Sequence, residues 1–373
     1  MTDQPTFEIF LAGTPGLESE LLAEARAAGF PAEATPGGAA FRGGWADVMR
    51  ANLTLRGANR VLARIDAFPA AHLSQLAKRA AKTPWGSVLR KDEPVRVEAV
   101  CRRSKIYHSG AAAERIERAI LEAVGAPIVR EKEGDAVEVR VRLFDNLCTV
   151  SVDTSGALLH KRGFKEAVAK APLRETMAAM LLRACGYDGT EPLLDPMCGS
   201  GTFVVEAAEL ALGLAPGRER RFAFERLATF DEEAWEAMRA QPTPRETSVR
   251  LFGFDKDAGA VRASAANAER AGVAAITEFR QQTVTQLERP EGPPGLVMVN
   301  PPYGARIGDR GALTALYRTL GRRLLAGFSG WRVGLLTSDV NLANATGLPF
   351  TERYAPIDHG GLKVRLFRTD ALA

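Results

Sequence analysis

Asp195-Pro196-Met197-Cys198-Gly199-Ser200-Gly201-Thr202 follows the apolar run Pro192-Leu193-Leu194 and leads into Phe203-Val204-Val205-Glu206-Ala207-Ala208-Glu209-Leu210, which has helical periodicity. A buried strand, a glycine turn and a helix in that order open a doubly wound α/β sheet. Gly199 and Gly201 lack a Cβ, so backbone can approach a ligand closely there. The helix N-terminus then faces whatever lies above the strand. A Gly-x-Gly pair alone is weak evidence in a chain with 35 glycines among 373 residues. A plain strand-to-helix turn would read the same way.

Two nucleotide chemistries are disfavoured. The dinucleotide fingerprint wants a third glycine where Val204 stands, and an acid about 20 residues on. The next strand that ends in an acid is instead Leu251-Phe252-Gly253-Phe254-Asp255. No phosphate-binding Gly-x-x-x-x-Gly-Lys-Ser/Thr occurs in the chain, which argues against an NTPase. A carboxylate at a strand end accepts hydrogen bonds from both hydroxyls of a ribose, which makes Asp255 a candidate ribose ligand. Its other reading is a helix N-cap, a role Asp257 also offers.

The second decisive stretch is Asn300-Pro301-Pro302-Tyr303, directly after the buried-strand run Gly295-Leu296-Val297-Met298-Val299. Two prolines stop the strand and stiffen the loop. A rigid loop can aim the Asn300 side-chain oxygen and the Pro301 carbonyl at one point. An amino group on a purine has two hydrogens to donate and a lone pair delocalised into the ring. Two acceptors holding both hydrogens would draw the nitrogen towards tetrahedral geometry and free that lone pair. Tyr303 would stack on the base, worth roughly 1–3 kcal/mol. The expected chemistry is methyl transfer from S-adenosyl-L-methionine to a base amine. It needs no strong general base and works by positioning and electrostatics. A strand ended by a proline turn with an incidental Asn is the bland alternative.

Composition is that of a globular chain, 46% hydrophobic and 25% charged, with length for two or three domains. Cys101, Cys148, Cys185 and Cys198 form no Cys-x-x-Cys, and His72, His108, His160 and His359 show no ligand spacing. Neither a metal site nor a disulfide framework is expected. No basic-then-apolar leader and no run of 18 apolar residues occur, so the chain reads as cytoplasmic, neither secreted nor membrane-spanning.

Net charge is +4, unevenly spread. Residues 1–64 carry 6 basic and 7 acidic side chains, residues 65–175 carry 20 and 15, and residues 176–373 carry 23 of each. The excess lies in the middle segment and marks the candidate nucleic-acid footprint, although a solvated surface reads the same way. There Arg102, Arg103 and Lys105 surround Tyr107, and the connector carries Lys161 and Arg162. Basic residues interleaved with an aromatic suit RNA phosphate and sugar contacts.

Along the chain, residues 7–12 read as a strand, 16–29 as an amphipathic helix, Ala40-Phe41-Arg42 as a short strand and Val61–Ile65 as another. A second α+β unit covers 66–155, with a helix at His72–Thr83, a strand at Val95–Val100, a helix at 111–124 and alternating strands at Val137–Phe144 and Leu147–Val152. From 176 onward strands and helices alternate, which predicts a mainly parallel sheet. An insertion, Pro216 to Gln241, separates its first two strands.

These residues resemble the bacterial THUMP-domain RNA guanine-N2 methyltransferases, the group that includes a methyltransferase for a guanine of 23S rRNA and its tRNA-acting relatives. Four stretches carry the likeness: Ser151-Val152-Asp153-Thr154-Ser155-Gly156 with His160-Lys161-Arg162-Gly163-Phe164; Ala171-Pro172-Leu173-Arg174-Glu175; the glycine turn; and Asn300-Pro301-Pro302-Tyr303-Gly304. Pro15-Gly16-Leu17-Glu18 and Ala51-Asn52-Leu53-Thr54-Leu55-Arg56 add to it.

The resemblance implies an α+β ferredoxin-like domain over 1–65, a THUMP RNA-binding domain over 66–155, a basic connector over 156–175 and a Rossmann-like class I methyltransferase domain over 176–373. It also implies that Pro172 and Leu173 flank the methionine end of the cofactor and that Asp255, with Lys256 beside it, holds the ribose. Asp195, Pro196, Cys198, Gly199, Ser200, Gly201 and Thr202 complete the expected cofactor site. One departure stands out. Family members often place an Asp where the adenine amine is held, and here Thr283 occupies that place. RNA is the expected partner, ribosomal before transfer RNA. The competing readings are a DNA adenine-N6 methyltransferase, which shares the Asn-Pro-Pro-Tyr chemistry, and an RNA-binding protein with an inactive methyltransferase fold.

Overall fold

Val137–Phe144 alternates buried Val137, Val139, Val141 and Leu143 with outward Glu138, Arg140 and Arg142, the pattern of a strand with one face on a core. The computed structural model describes residues 6–131, 135–165, 173–240, 244–303 and 310–373, and these group into two compact units.

The first unit takes residues 1–13, 22–159 and 220–241. Its strands are β1 (Phe7–Ala12), β2 (Glu33–Thr35), β3 (Gly38–Gly43), β4 (Arg60–Pro69), β5 (Val95–Arg102), β6 (Val137–Phe144) and β7 (Leu147–Asp153). Its helices are α1 (Glu18–Ala27), whose first turn belongs to the second unit, α2 (Trp45–Thr54), α3 (Leu73–Ala80) and α4 (Ser109–Val124). One sheet runs β2-β3-β1-β4-β7-β6-β5. The ten-residue strand β4 pairs with β1 through Arg60–Arg64 and with β7 through Leu62–Pro69. The boundary expected between residues 65 and 66 therefore falls inside a single strand.

The second unit takes residues 14–21, 160–219 and 242–373. In chain order come α5 (Glu175–Ala184), β8 (Leu193–Asp195), α6 (Thr202–Ala211), then α7 (Glu232–Arg239), which belongs to the first unit. There follow β9 (Leu251–Asp255), α8 (Ala258–Arg270), β10 (Thr277–Gln281), β11 (Leu296–Val299), α9 (Arg310–Gly327), β12 (Arg332–Thr337), α10 (Val340–Ala345), β13 (Phe350–Arg353), β14 (Ile357–His359) and β15 (Leu362–Thr369). The sheet order is β10-β9-β8-β11-β12-β15-β13, with β14 also on β15. The first five strands are parallel and β15 runs antiparallel to β12. All residues of β8 and β11 are buried, as both faces of a helix-covered parallel sheet require. Strand order reverses between β8 and β11, and in open α/β sheets ligands bind at the carboxyl ends of strands at such a point.

The insertion anchors in the first unit. Phe222 and Phe224 stack at 5.1 Å and Trp235 meets Phe224 edge-on at 4.9 Å. Arg220 donates to the carbonyls of Leu158 and Ala157. Among the described residues no helix is long and apolar enough to cross a membrane.

Candidate active site

β8 ends at Asp195, which is 2% exposed and accepts the Met197 amide at 3.0 Å. Burial, with the Asp255 charge as a lesser contribution, pushes its carboxyl up to about 8. Pro196 is buried behind it. The Cys198 amide donates to the Phe254 carbonyl at 2.9 Å, tying the turn to β9, and the Cys198 thiol lies 3.7 Å from the Ser264 hydroxyl.

The two glycines answer to different constraints. Both hold left-handed backbone, Gly199 at φ +54° and Gly201 at φ +80°. A Cβ on Gly201 would stand 3.0 Å from Ser264 and 3.3 Å from Phe279, whereas one on Gly199 would meet nothing within 4 Å. Gly201 is packed; Gly199 opens onto free space. The carbonyls of the turn are held from α8, Gly199 by the Ser264 hydroxyl at 2.8 Å and Ser200 by Asn267 at 3.0 Å. Helix α6 starts at Thr202 after Gly201, which has no side chain to cap it, and an uncapped helix N-terminus can present its amides to a ligand.

Asp255, at the end of β9, accepts the Gly199 amide at 3.0 Å on one oxygen and the Asp257 amide at 2.9 Å on the other. It locks the turn while each oxygen keeps lone-pair capacity. The cap of α8 is Asp257, which accepts the amides of Gly259 and Ala260. The Lys256 carbonyl accepts from the Gln281 side chain at 3.0 Å. Thr283 follows β10 and is exposed, its hydroxyl shared with Thr285 at 2.8 Å and Gln286 at 3.0 Å.

β11 lies beside β8, with Leu296 opposite Leu193 and Val297 opposite Leu194. Asn300 thus leaves the sheet next to the glycine turn and at the same end. Its Oδ1 is buried and has no partner among the described residues. Pro301 is buried, and the Pro302 carbonyl accepts the Tyr317 hydroxyl at 3.2 Å. Tyr303 is half-buried against a core that includes Tyr317, and burial pushes its phenol up to about 12, so it is neutral. Tyr317, from α9, steadies the proline loop and was not legible as a site residue, because its hydroxyl reaches the loop only through the fold.

The remaining residues divide. Leu173 is buried, with its carbonyl accepting Lys165 at 3.1 Å, and Pro172 lies outside the described residues. Arg102, Arg103, Lys105 and Tyr107 share one tip of the first unit. Tyr107 is 84% exposed there, Arg103 pairs with Asp145 at 3.2 Å, and the Lys105 amide donates to Asn146 at 2.8 Å. Among the described residues, those with positive φ other than glycine, Arg103, Asp145 and Asn146, all lie at this tip. Lys161 is exposed. Arg162 corrects the sequence reading: it is 2% exposed and its guanidinium meets Glu206 of α6 at 3.3 Å. A guanidinium buried against a carboxylate is shielded from an RNA phosphate. Glu206 and Glu209, acids in an otherwise apolar helix, were the available signal.

Residues 162–362 match the family described as RMKL-like, methyltransferase domain. Residues 8–62 match an RlmL ferredoxin-like domain and residues 70–153 a THUMP domain. The chain is 34% identical over 381 residues to the ribosomal RNA large subunit methyltransferase K/L of Methylococcus capsulatus, covering 98% of this chain and 51% of that protein. It spans about half the length of the curated relatives it matches. Among solved structures, SMU.472, a candidate methyltransferase complexed with SAH, is 26% identical at a TM-score of 0.89, over 99% of both chains. A predicted N6-adenine-specific DNA methylase from Listeria monocytogenes is 28% identical at a TM-score of 0.86, over 98% of this chain and 97% of that one.

Proposed function

The chain belongs to the family described as RMKL-like, methyltransferase domain, and from that premise we propose that it moves a methyl group from S-adenosyl-L-methionine to the exocyclic N2 amine of a guanine in RNA, ribosomal before transfer RNA. The observation that carries the proposal is the buried Oδ1 of Asn300 beside the glycine turn, which has no partner among the described residues. Leaving a buried acceptor unsatisfied costs about 1–3 kcal/mol, which a donating amine removes.

The residues fit the cofactor. Gly199 is open where a Cβ would stand, α6 begins without a cap, and Asp255 faces the turn. The turn from Asp195 through Thr202 would hold the methionine end together with Leu173. Asp255 and Lys256 would hold the ribose, and Thr283 would meet the adenine. When bound, the cofactor supplies a methyl group on a sulfonium, a good leaving group. Asn300 Oδ1 and the Pro301 carbonyl accept the two amine hydrogens and free the nitrogen lone pair. Tyr303 stacks on the base and excludes water. Tyr317 fixes the loop through the Pro302 carbonyl. Arg102, Arg103, Lys105 and Tyr107 dock the RNA, and Lys161, which belongs to the second unit, is a separate phosphate contact.

A second reading, adenine N6 in DNA, is favoured by the description of the Listeria neighbour. The THUMP match supports RNA instead. Asn300→Ala tests the site. Methyl transfer is expected to fall by about 10²–10³, the usual cost of one positioned group at an electrostatic site, while calorimetric binding of S-adenosylhomocysteine stays near wild type. Wild-type turnover in that variant would remove Asn300 from the reaction.

A further inference from the structure

The connector Lys161-Arg162-Gly163-Phe164-Lys165 reads in sequence as a basic surface strap, yet much of it faces inward. Arg162 pairs with Glu206 of α6. The Phe164 carbonyl accepts Arg270 of α8 at 2.7 Å. The Lys165 side chain is 10% exposed, and its ammonium reaches three acceptors: the Thr202 hydroxyl at 2.8 Å, the Leu173 carbonyl at 3.1 Å and Glu175 at 3.1 Å. An ammonium has three hydrogens and no acceptor, so this set satisfies it. The adjoining cavity, bounded by Glu175, Ser200, Glu206 and Asn267, is about 10 Å³, no larger than one water. A space that small cannot take a base, so the cluster serves as a support.

We infer that Lys165 is a positioning residue for the cofactor, an inference that rests on the function proposed above. Its three acceptors come from three places: the segment ahead of α5, the first turn of α5, and Thr202, the first residue of α6. Lys165 thereby fixes the start of α6, and with it the Ser200 and Gly201 backbone, against Leu173. Burying a charged pair is costly and a packed apolar pair would hold the fold as well. What the lysine adds is registry at the turn.

The test uses the full chain. Lys165→Met/Glu175→Met removes both buried charges together, so no orphan charge is left to unfold it. Lys165→Arg keeps the charge but spreads its donors over a planar fork that does not match three convergent acceptors. Each variant is melted and then titrated with S-adenosylhomocysteine. Melting near wild type is expected, with affinity at least about tenfold weaker in the double variant, or about 1.4 kcal/mol, and measurably weaker in the arginine variant. Slowed-exchange protection of the Ser200–Thr202 amides, measured with ligand, is expected to fall in both. Wild-type affinity in either folded variant overturns the inference. If the unmutated chain bound no S-adenosylhomocysteine, the cofactor reading itself would fall instead.

Discussion

Asp195 carries a pH signature that isolates the buried end of β8. Its folded-state carboxyl titrates near 8 because burial disfavours the anion. Unfolded, an Asp titrates near about 3.9. Between those values the folded chain holds the extra proton, so this residue's contribution to stability falls as pH rises through the window. Asp195→Asn keeps an acceptor for the Met197 amide and removes the titration. Urea midpoints at pH 5 and pH 8 are expected to drop more for the wild type than for the variant. Parallel behaviour would mean that Asp195 is ionised in the fold. The strand-end positions of Asp255 and Asn300 were legible, because each closes an apolar run that forms a buried strand. Arg162 was misread because its partner, Glu206, lies 44 residues away and local sequence shows only a basic run. Tyr317 and Lys165 were missed for the same reason.

At the scale of elements, alternation and strand-ending residues located β6 at Val137–Phe144 and β9 at Leu251–Asp255 as read. The three-residue β2 and β14 carry too short a pattern to be seen. The tip formed by the end of β5 and the β6–β7 turn is where RNA docking is testable. Arg103 and Arg142 lie over the Phe144 ring, and Arg103 is held in left-handed backbone, so the cations are presented on a fixed frame. Neutralising Arg102, Arg103 and Lys105 together is expected to raise KM for RNA. It should also reduce the salt slope of binding by roughly 0.7 per lost phosphate contact on a single strand. S-adenosylhomocysteine binding should not move. An unchanged affinity and slope, read by fluorescence anisotropy across a salt series, would put the docking surface elsewhere.

For the whole molecule, strand and helix alternation after residue 176 announced the doubly wound sheet. The compact bodies, however, do not follow the chain. Residues 220–241 belong with the first unit, where the Phe224 amide donates to the Thr154 carbonyl at 3.0 Å and the Ala228 amide to the Val88 carbonyl at 2.9 Å, and no periodicity reveals which body such a segment will join. One unit carries the basic tip and the other the turn and the Asn-Pro-Pro-Tyr loop, a division that suits docking in one place and chemistry in another. A guanine inside a helix must be extruded to meet Tyr303, at a few kcal/mol, and phosphate contacts can offset that cost. The most direct measurement is nucleoside mass spectrometry of unmodified ribosomal RNA after incubation with this protein and S-adenosyl-L-methionine. N2-methylguanosine is the product expected, formed about 10²–10³ more slowly with Asn300→Ala. N6-methylated adenine, or no methylated base from a chain that binds S-adenosylhomocysteine, would contradict the account.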